Sequence, residues 1–249
     1  MHSDLFSKQS KTYASYRPQY PEELFHFLKT NAPSTELAWD CGTGNGQAAI
    51  ALSQYFKKVI ATDVSSEQIS HASNSENIEY RVLKAESSLD LEMPNSVDLV
   101  TVAQAIHWFD LNRFYSEVKR VAKANALIAV WGYSFHEPIS SEIDSLFNEF
   151  YFNTLAPYWK PQNKLLWNMY KELAFPFKEL EVPSLKIKVK WSLYDLMGYF
   201  KSWSSTQLYI EKNSIDPTLK LFEDVKTHWP NPQNLKDLEW NLALRVGKL

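Results

Sequence analysis

The residues best suited to chemistry are a short run of glycines and one acidic residue that follows it. Gly42, Gly44 and Gly46 follow Asp40 and are three of the six glycines in this chain of 249 residues. Glycine has no Cβ, so a ligand can approach the backbone of such a loop closely. Asp63 follows 17 positions after Gly46, about where a βαβ unit places a carboxylate that accepts hydrogen bonds from ribose hydroxyls. Together they predict a nucleoside cofactor site.

The spacing of the glycines argues against a dinucleotide. Gly46 is followed by Gln47, whereas the dinucleotide fingerprint is G-x-G-x-x-G. With Asp40 at the end of the preceding strand, the loop is less suited to a pyrophosphate than to a ligand with an ammonium group.

His107 is the one plausible catalytic base next to these loops, and an orienting or packing role is its ordinary alternative. Three more candidates for a substrate pocket are tryptophans, although most tryptophans belong to cores: Trp108, Trp131 and Trp203.

The N-terminal segment is rich in tyrosine and carries one arginine. Tyr13, Tyr16, Tyr20 and Arg17 predict a lid that binds substrate, with the guanidinium of Arg17 suited to a carboxylate. The alternative is a surface segment packed on the sheet.

Composition and charge narrow the choice of partners. Lys and Arg total 26 against 29 Asp and Glu, a net charge of -3, which removes the main reason to expect a nucleic-acid partner. No stretch has the length and apolarity of a membrane span or a signal peptide, so we expect no membrane partner and a cytoplasmic location. The single Cys41 excludes an internal disulfide framework, and no cluster of Cys and His suggests a metal.

Strand and helix patterns alternate from residue 37 to residue 131. This alternation predicts an α/β fold with an open parallel sheet covered on both faces. The predicted strands are Leu37–Asp40, Lys58–Asp63, Ile78–Leu83, Val97–Ala103 and Ala126–Trp131, with helices over 47–55, 65–72 and 112–122.

The remaining residues predict a helical insert after the fifth strand, followed by two further strands of the same sheet. Strict alternation marks these strands over 186–191 and 238–246. Ser192 with Asp195 resembles a capping box that opens a helix over 193–203, and a second helix starts at Asp216-Pro217 and runs to about Trp229. We expect one domain: an N-terminal lid and helix over 1–35, a cofactor core over 36–132, and the insert with the final strands over 133–249. Because the aromatic insert could bury itself or form a dimer face, we expect a monomer or a homodimer.

The run Asp40-x-Gly42-x-Gly44-x-Gly46 resembles the first motif of the class I S-adenosylmethionine-dependent methyltransferases. The segments over 13–18 and 105–110 are similar to the small-molecule branch that includes trans-aconitate methyltransferases, also called methyltransferase type 11. The malonyl-acyl-carrier methyltransferase of biotin synthesis has a similar size and layout. The resemblance implies a Rossmann-like fold with a mostly parallel seven-stranded sheet and helices on both faces.

The resemblance also implies roles for individual residues. Gly42, Gly44 and Gly46 belong to the cofactor loop, with Asp40 near the ammonium end of the methionine moiety. Gln104 lies beside the methionine portion and the substrate.

The resemblance implies that a second group of residues binds the nucleoside end of the cofactor. Asp63 holds the ribose, Val64 packs on adenine, and Ala85 with Glu86 meets the far edge of the base.

The implied activity is methyl transfer from S-adenosyl-L-methionine, with S-adenosyl-L-homocysteine as product, to a small molecule. Oxygen of a carboxylate, trans-aconitate-like or linked to an acyl carrier, is the implied acceptor. A carboxylate needs little base catalysis, because the sulfonium has already activated the methyl group.

Two alternatives stay open. Tyr115-x-x-x-Lys119 and Tyr80-x-x-x-Lys84 fit the Tyr-x-x-x-Lys pattern of NAD(P)-dependent short-chain dehydrogenases, although the glycine spacing of that family is absent. The second alternative is a non-catalytic module that retains the cofactor-binding fold.

Overall fold

Five parallel strands from the first half of the chain form the centre of the computed structural model, which describes residues 16–87 and 94–249. Residues 1–15, which hold Tyr13 and most of the predicted lid, lie outside the described residues. The strands of this half are β1 Leu37–Cys41, β2 Lys58–Asp63, β3 Ile78–Val82, β4 Val97–Ala103 and β5 Ala122–Gly132. Its helices are α1 Glu22–Asn31, α2 Gln47–Leu52, α3 Ser66–Ser70 and α4 Leu111–Val121, with 3₁₀ turns over Ala85–Ser87 and Ile106–Trp108.

The second half adds helices and short strands. Its helices are α5 Ser141–Glu149, α6 Asn163–Trp167, α7 Leu193–Lys201, α8 Ser204–Asn213 and α9 Pro217–Lys226, with a π-helical stretch Phe150–Thr154 and a 3₁₀ turn Ala156–Tyr158. Its strands are β6 Lys178–Glu179, β7 Lys186–Trp191, β8 Lys236–Asn241 and β9 Ala243–Lys248. The capping box that the sequence predicts at Ser192 and Asp195 opens α7, and Asp216 caps α9.

Seven strands form the main sheet in the order β3-β2-β1-β4-β5-β9-β6. β1 to β5 are parallel, and β9 runs antiparallel to both β5 and β6. The expected α/β class, a mostly parallel seven-stranded sheet with an insert after the fifth strand, is confirmed.

Two details of the second half differ from the expectation. The alternating segment 186–191 does not join the main sheet, because β7 pairs with β8 in a separate two-stranded sheet. The segment 238–246 divides at Leu242 between β8 and β9, so only its second part reaches β5. The additional strand of the main sheet is the two-residue β6, which is too short for a periodic signal.

Side chains from successive positions of the central strands pack on opposite faces of the sheet. Ala38 and Leu99 join α1 and α2 in one core, whereas Trp39 and Val100 join α4 in the other. This alternation follows from the two-residue period of a strand. Helices therefore cover both faces of the sheet.

The carboxyl ends of β1 and β4 lie side by side at the point where the strand order reverses. In open α/β sheets, ligands bind in the crevice at such a switch point. The glycine loop follows β1, and Gln104 follows β4.

Candidate active site

A cavity of about 560 Å³ opens at the ends of β1, β2 and β4. Its size lies within the range of small-molecule and cofactor sites. Seven of the nine residues predicted to bind a cofactor line it: Gly42, Gly44, Asp63, Val64, Ala85, Glu86 and Gln104. Val64 is about half exposed.

The glycine loop adopts a backbone that only glycine supports without strain. The φ angles of Gly42, Gly44 and Gly46 are 70°, 57° and 83°. A Cβ on Gly42 would lie 2.6 Å from the Cβ of Ala105, whereas a Cβ on Gly44 would meet no described atom within 4 Å. Gly44 therefore leaves open space on the cavity side. Gly46 does not line the cavity; it caps the start of α2 in the left-handed conformation.

Asp63 connects the loop to the end of β2. Its Oδ2 accepts a hydrogen bond from Gly44 N at 2.8 Å, and its Oδ1 accepts one from Ser65 N at 2.8 Å. Burial raises the pKa of this carboxyl above its usual value, and the backbone donors oppose that shift. A carboxylate has about four acceptor positions, so these donors leave room for a ligand.

Asp40 has a different position from the one expected for a ligand contact. It is fully buried and does not line the cavity. Thr43 Oγ1 donates to its Oδ2 at 2.6 Å, and Thr101 Oγ1 donates to its Oδ1 at 2.7 Å. Burial raises the pKa of Asp40 to about 6. Asp40 thus connects the glycine loop, through Thr43, to β4, through Thr101.

Glu86 and Gln104 border the cavity from the ends of β3 and β4. Glu86 Oε1 accepts a hydrogen bond from Asp110 N at 3.0 Å. Gln104 has a positive φ of 57° and donates from Nε2 to the carbonyl of Tyr133 at 3.0 Å. Its buried Oε1 has no partner among the described residues.

A smaller cavity of about 100 Å³ adjoins the larger one, and Gln104 and Trp108 line both. Three residues predicted to bind substrate line it: Arg17, Trp108 and Trp203. Arg17 Nη2 donates to the carbonyl of Ser202 at 3.5 Å, and its guanidinium carbon lies 5.3 Å from the ring centre of Tyr199.

The other two predicted substrate residues line neither cavity. Trp131 is fully buried in β5, where its ring packs edge-on against Tyr20 and Phe25. Tyr16 lies over Gly198 of α7. The sequence places Trp131 at the end of a strand, but the face on which its ring lies decides that it belongs to the core.

His107 lies in the wall of the smaller cavity. It is 7% exposed, and its Nδ1 shares a hydrogen bond with Tyr170 Oη at 3.4 Å. Desolvation lowers the pKa of His107 to about 4, so the imidazole is neutral at physiological pH. Tyr170 and its neighbour Met169 both have positive φ, which is uncommon for these residue types.

Sequence reasoning missed most of the remaining wall of the smaller cavity. Phe135, Trp159 and Trp167 come from the insert, and Ser134 follows β5. Only the general aromatic density of the insert hinted at them. Gln47 likewise lines the larger cavity without a motif that identifies it. Tyr20, from the predicted lid, and Phe109, from the segment 105–110, line the larger cavity as well.

The dehydrogenase pattern has a structural explanation. Tyr115 is buried on α4, where its hydroxyl donates to the carbonyl of Ala174 at 2.7 Å, and it lines neither cavity. Burial raises the pKa of Tyr115 to about 12. Tyr80 donates to the carbonyl of Ser73.

Within residues 16–87 and 94–249, no three His, Cys, Asp or Glu side chains are grouped as a metal site would need. Among the helices that the structure describes, none combines the length and apolarity needed to cross a membrane.

The fold and the cavity at its switch point are those of a nucleoside-binding α/β protein. The similarities to known proteins point to the same class. The family described as "Methyltransferase domain" matches residues 39–130. A Dictyostelium discoideum protein that carries the name of a methyltransferase is 35% identical over 217 residues, 86% of this chain and 81% of that protein. A Saccharomyces cerevisiae protein named as an S-adenosylmethionine-dependent methyltransferase, CRG1, is 33% identical over half of this chain and 45% of its own length.

A solved structure from Anaeromyxobacter dehalogenans extends the similarity to the fold. This protein is described as a type II methyltransferase, is 35% identical, and superposes with a TM-score of 0.84 over 94% of this chain and 98% of its own. The chain belongs to the class I S-adenosylmethionine-dependent methyltransferases. It is therefore a methyltransferase with S-adenosyl-L-methionine as its cofactor, and the dehydrogenase alternative is wrong.

Proposed function

We propose that the protein transfers a methyl group to a carboxylate oxygen of a small molecule held in the smaller cavity. Two adjoining cavities that share Gln104 and Trp108 carry this proposal. The larger has the size of a cofactor site, and the smaller is walled by aromatic residues, one arginine and a neutral histidine. Acids like trans-aconitate and acids linked to an acyl carrier are the acceptor classes within this proposal.

The residues around the larger cavity fit the cofactor. Gly44 leaves a face that a Cβ would fill, and the Asp63 carboxylate keeps acceptor positions for ribose hydroxyls. Val64, Ala85 and Glu86 form the far wall, where adenine would pack. S-Adenosyl-L-methionine, when bound, supplies a methyl group that its sulfonium has already activated.

The methionine end is assigned to the glycine loop and to Gln104. The unpartnered Oε1 of Gln104 is an acceptor for an ammonium group or for the acceptor molecule. Asp40 and Gly46 act as positioning residues in this proposal: Asp40 anchors Thr43, and Gly46 starts α2.

His107 is assigned an orienting role, with proton abstraction as the weaker alternative. A carboxylate acceptor is already ionised at neutral pH, so it needs no base. The neutral imidazole can carry a hydrogen on one nitrogen and direct it toward the acceptor. Burial among aromatic residues excludes water from the same space.

Cofactor binding tests the assignment of Asp63. Asp63→Ala is expected to weaken S-adenosylhomocysteine binding by about 1.5–3 kcal/mol, the loss of hydrogen bonds to a charged group. Calorimetric titration of the folded variant measures the change. Asp237→Ala, which removes an exposed carboxylate paired with Lys190, serves as the control. Equal affinity in the Asp63 variant and the wild type would reject the assignment.

Location and assembly stay predictions. We expect a cytoplasmic monomer or homodimer that needs neither nucleic acid nor membrane, and sedimentation with cell fractionation would test this.

A further inference from the structure

We propose that Tyr170 is a positioning residue for His107: its hydroxyl donates a hydrogen bond to Nδ1, so that Nε2 carries the ring hydrogen and presents it to the methyl acceptor in the smaller cavity. This inference rests on the proposed function, since it assigns a partner to the histidine of the same site. It makes His107 a hydrogen-bond donor to the methyl acceptor and excludes the removal of a proton by this residue.

The side chains of Tyr170 and His107 meet behind the wall of the smaller cavity. His107 Nδ1 lies 3.4 Å from Tyr170 Oη, and the ring centres are 6.4 Å apart. Desolvation lowers the pKa of His107 and raises the pKa of Tyr170, so at neutral pH the imidazole is uncharged and the phenol keeps its hydrogen. A neutral imidazole has one N–H and one bare nitrogen, so the hydrogen between Nδ1 and Oη comes from one ring or from the other.

The surroundings of the phenol decide which ring donates. Among the described residues, His107 Nδ1 is the only hydrogen-bond partner of Tyr170 Oη. Gln104 Oε1 is close to the same place: a Cβ on Gly132 would lie 2.8 Å from Oε1 and 2.9 Å from Oη. This amide oxygen nevertheless accepts no hydrogen bond from a described residue. If Nδ1 were the donor, the phenol hydrogen would be buried without an acceptor, which folded proteins avoid.

A hydrogen bond accepted by Nδ1 leaves the ring hydrogen on Nε2. His107 lines the smaller cavity. Its Nε2 makes no hydrogen bond with a described residue, yet it is not one of the fully buried polar atoms, so this nitrogen reaches the open space of the cavity. An N–H at this position suits a methyl acceptor that brings a carboxylate oxygen, whereas the removal of a hydroxyl proton would need a bare nitrogen.

The backbone around Tyr170 places the hydroxyl at a conformational cost. Met169 and Tyr170 have φ angles of 53° and 57°, which puts two consecutive residues with side chains in the left-handed region. Arg245 Nη1 donates to the carbonyl of Tyr170 at 3.2 Å. The absence of a side chain at Gly132 leaves the room that the hydroxyl occupies. Three separate features thus converge on the position of one hydroxyl, which packing of the ring alone would not require.

The tautomer of His107 tests the inference without a methyl acceptor. In protein labelled with ¹⁵N at its six histidines, NMR distinguishes a bare ring nitrogen from one that carries hydrogen, because their chemical shifts differ widely. The His107→Gln variant identifies the signals of His107 as those that disappear. We expect Nε2 to carry the hydrogen and Nδ1 to be bare in the wild type at neutral pH.

Tyr170→Phe removes the donor and keeps the ring. A free imidazole exchanges between its two tautomers, so the shifts of Nδ1 and Nε2 should move toward each other in this variant. Tyr115→Phe is the matched control, because it removes another buried hydroxyl, which donates to the carbonyl of Ala174, and Tyr115 lines neither cavity. This control should leave both nitrogen shifts of His107 unchanged.

Two outcomes would overturn the inference. The first is a bare Nε2 in the wild type, which would direct the phenol hydrogen to Gln104 Oε1 and make His107 a base. The second is wild-type nitrogen shifts in folded Tyr170→Phe; if this variant does not fold, the tautomer of the wild type decides. Failure of the wild type to bind S-adenosylhomocysteine would instead reject the proposed function. Because the tautomer is measured without cofactor or methyl acceptor, the two failures are distinguishable.

Discussion

Asp40 and Asp63 lie at the ends of neighbouring strands but have different surroundings. Asp63 borders the larger cavity and is held by backbone donors, so it can serve a ligand. Asp40 lies under the loop, fully buried, with two threonine hydroxyls as its partners. The same residue type is therefore assigned a binding role in one position and a positioning role in the other.

The buried Asp40 predicts a dependence of stability on pH. Its pKa is about 6 in the folded chain and 3.8 as the ordinary value. Between these values the folded chain holds a proton that the unfolded chain has released, so stability falls as pH rises from about 4 to about 6. At neutral pH this group lowers the free energy of unfolding by about 3 kcal/mol relative to its value below about pH 4.

Asp40→Asn removes this titration. The variant is expected to gain stability relative to the wild type as pH rises from about 4 to about 6, and urea unfolding at several pH values measures the difference. Asp237→Asn, at an exposed carboxylate, should show little such change. A difference between Asp40→Asn and the wild type that stays constant over this range would contradict the prediction.

Side chains from three segments approach the backbone of Gly132, the last residue of β5. A Cβ on Gly132 would lie 2.6 Å from Leu166 Cδ1, 2.8 Å from Gln104 Oε1 and 2.9 Å from Tyr170 Oη. These three side chains come from α6, from the turn after β4 and from the segment after α6, and they meet over one residue without a side chain. The close approach requires glycine at this position.

Gly132→Ala is expected to lower the free energy of unfolding by about 1–3 kcal/mol, because the added methyl overpacks this junction. It should also weaken S-adenosylhomocysteine binding, since Gln104 must move. Gly198→Ala is the matched control: its Cβ would overlap the ring of Tyr16, so it should destabilise the fold and leave cofactor affinity unchanged. Unfolding curves and titrations of both variants measure this. Wild-type affinity in Gly132→Ala would show that Gln104 does not depend on the junction.

For the molecule as a whole, Arg245 connects the C-terminal strand to the insert. Its Nη1 donates to the carbonyls of Tyr170 and Leu173 at 3.2 and 2.6 Å, and the guanidinium pairs with Glu179. The same group stacks on Phe175, with 4.7 Å between its carbon and the ring centre. β9, β6 and the segment that carries Tyr170 are thereby held together.

Arg245→Gln is expected to lower the free energy of unfolding by about 2–3 kcal/mol, because part-buried carbonyls and a carboxylate lose their donor. Urea unfolding measures the change. Arg113→Gln, at a side chain that is 79% exposed, should change stability by no more than about 0.5 kcal/mol. If the two variants behaved alike, the connection would carry no stability.

Local patterns in the sequence were sufficient to predict the parallel core and the residues on its loops. Strand periods, the glycine spacing and the distance from Gly46 to Asp63 are local patterns. Local geometry follows from them because a strand has a period of two and glycine adopts a positive φ without the steric cost that a Cβ brings. The capping boundaries at Ser192 and Asp216 were predictable for the same reason.

Several other features depend on packing between distant segments. Packing places Trp131 in the core and Asp40 beneath the loop, and it divides 238–246 between two sheets. It also brings four aromatic side chains of the smaller cavity into contact with one another: Phe135, Trp159, Trp167 and Trp203. These results depend on contacts between residues far apart in the chain, and neither residue spacing nor periodicity records which distant side chains share a wall. The chemistry of the cofactor site was therefore local, whereas the shape and charge of the smaller cavity arose from packing.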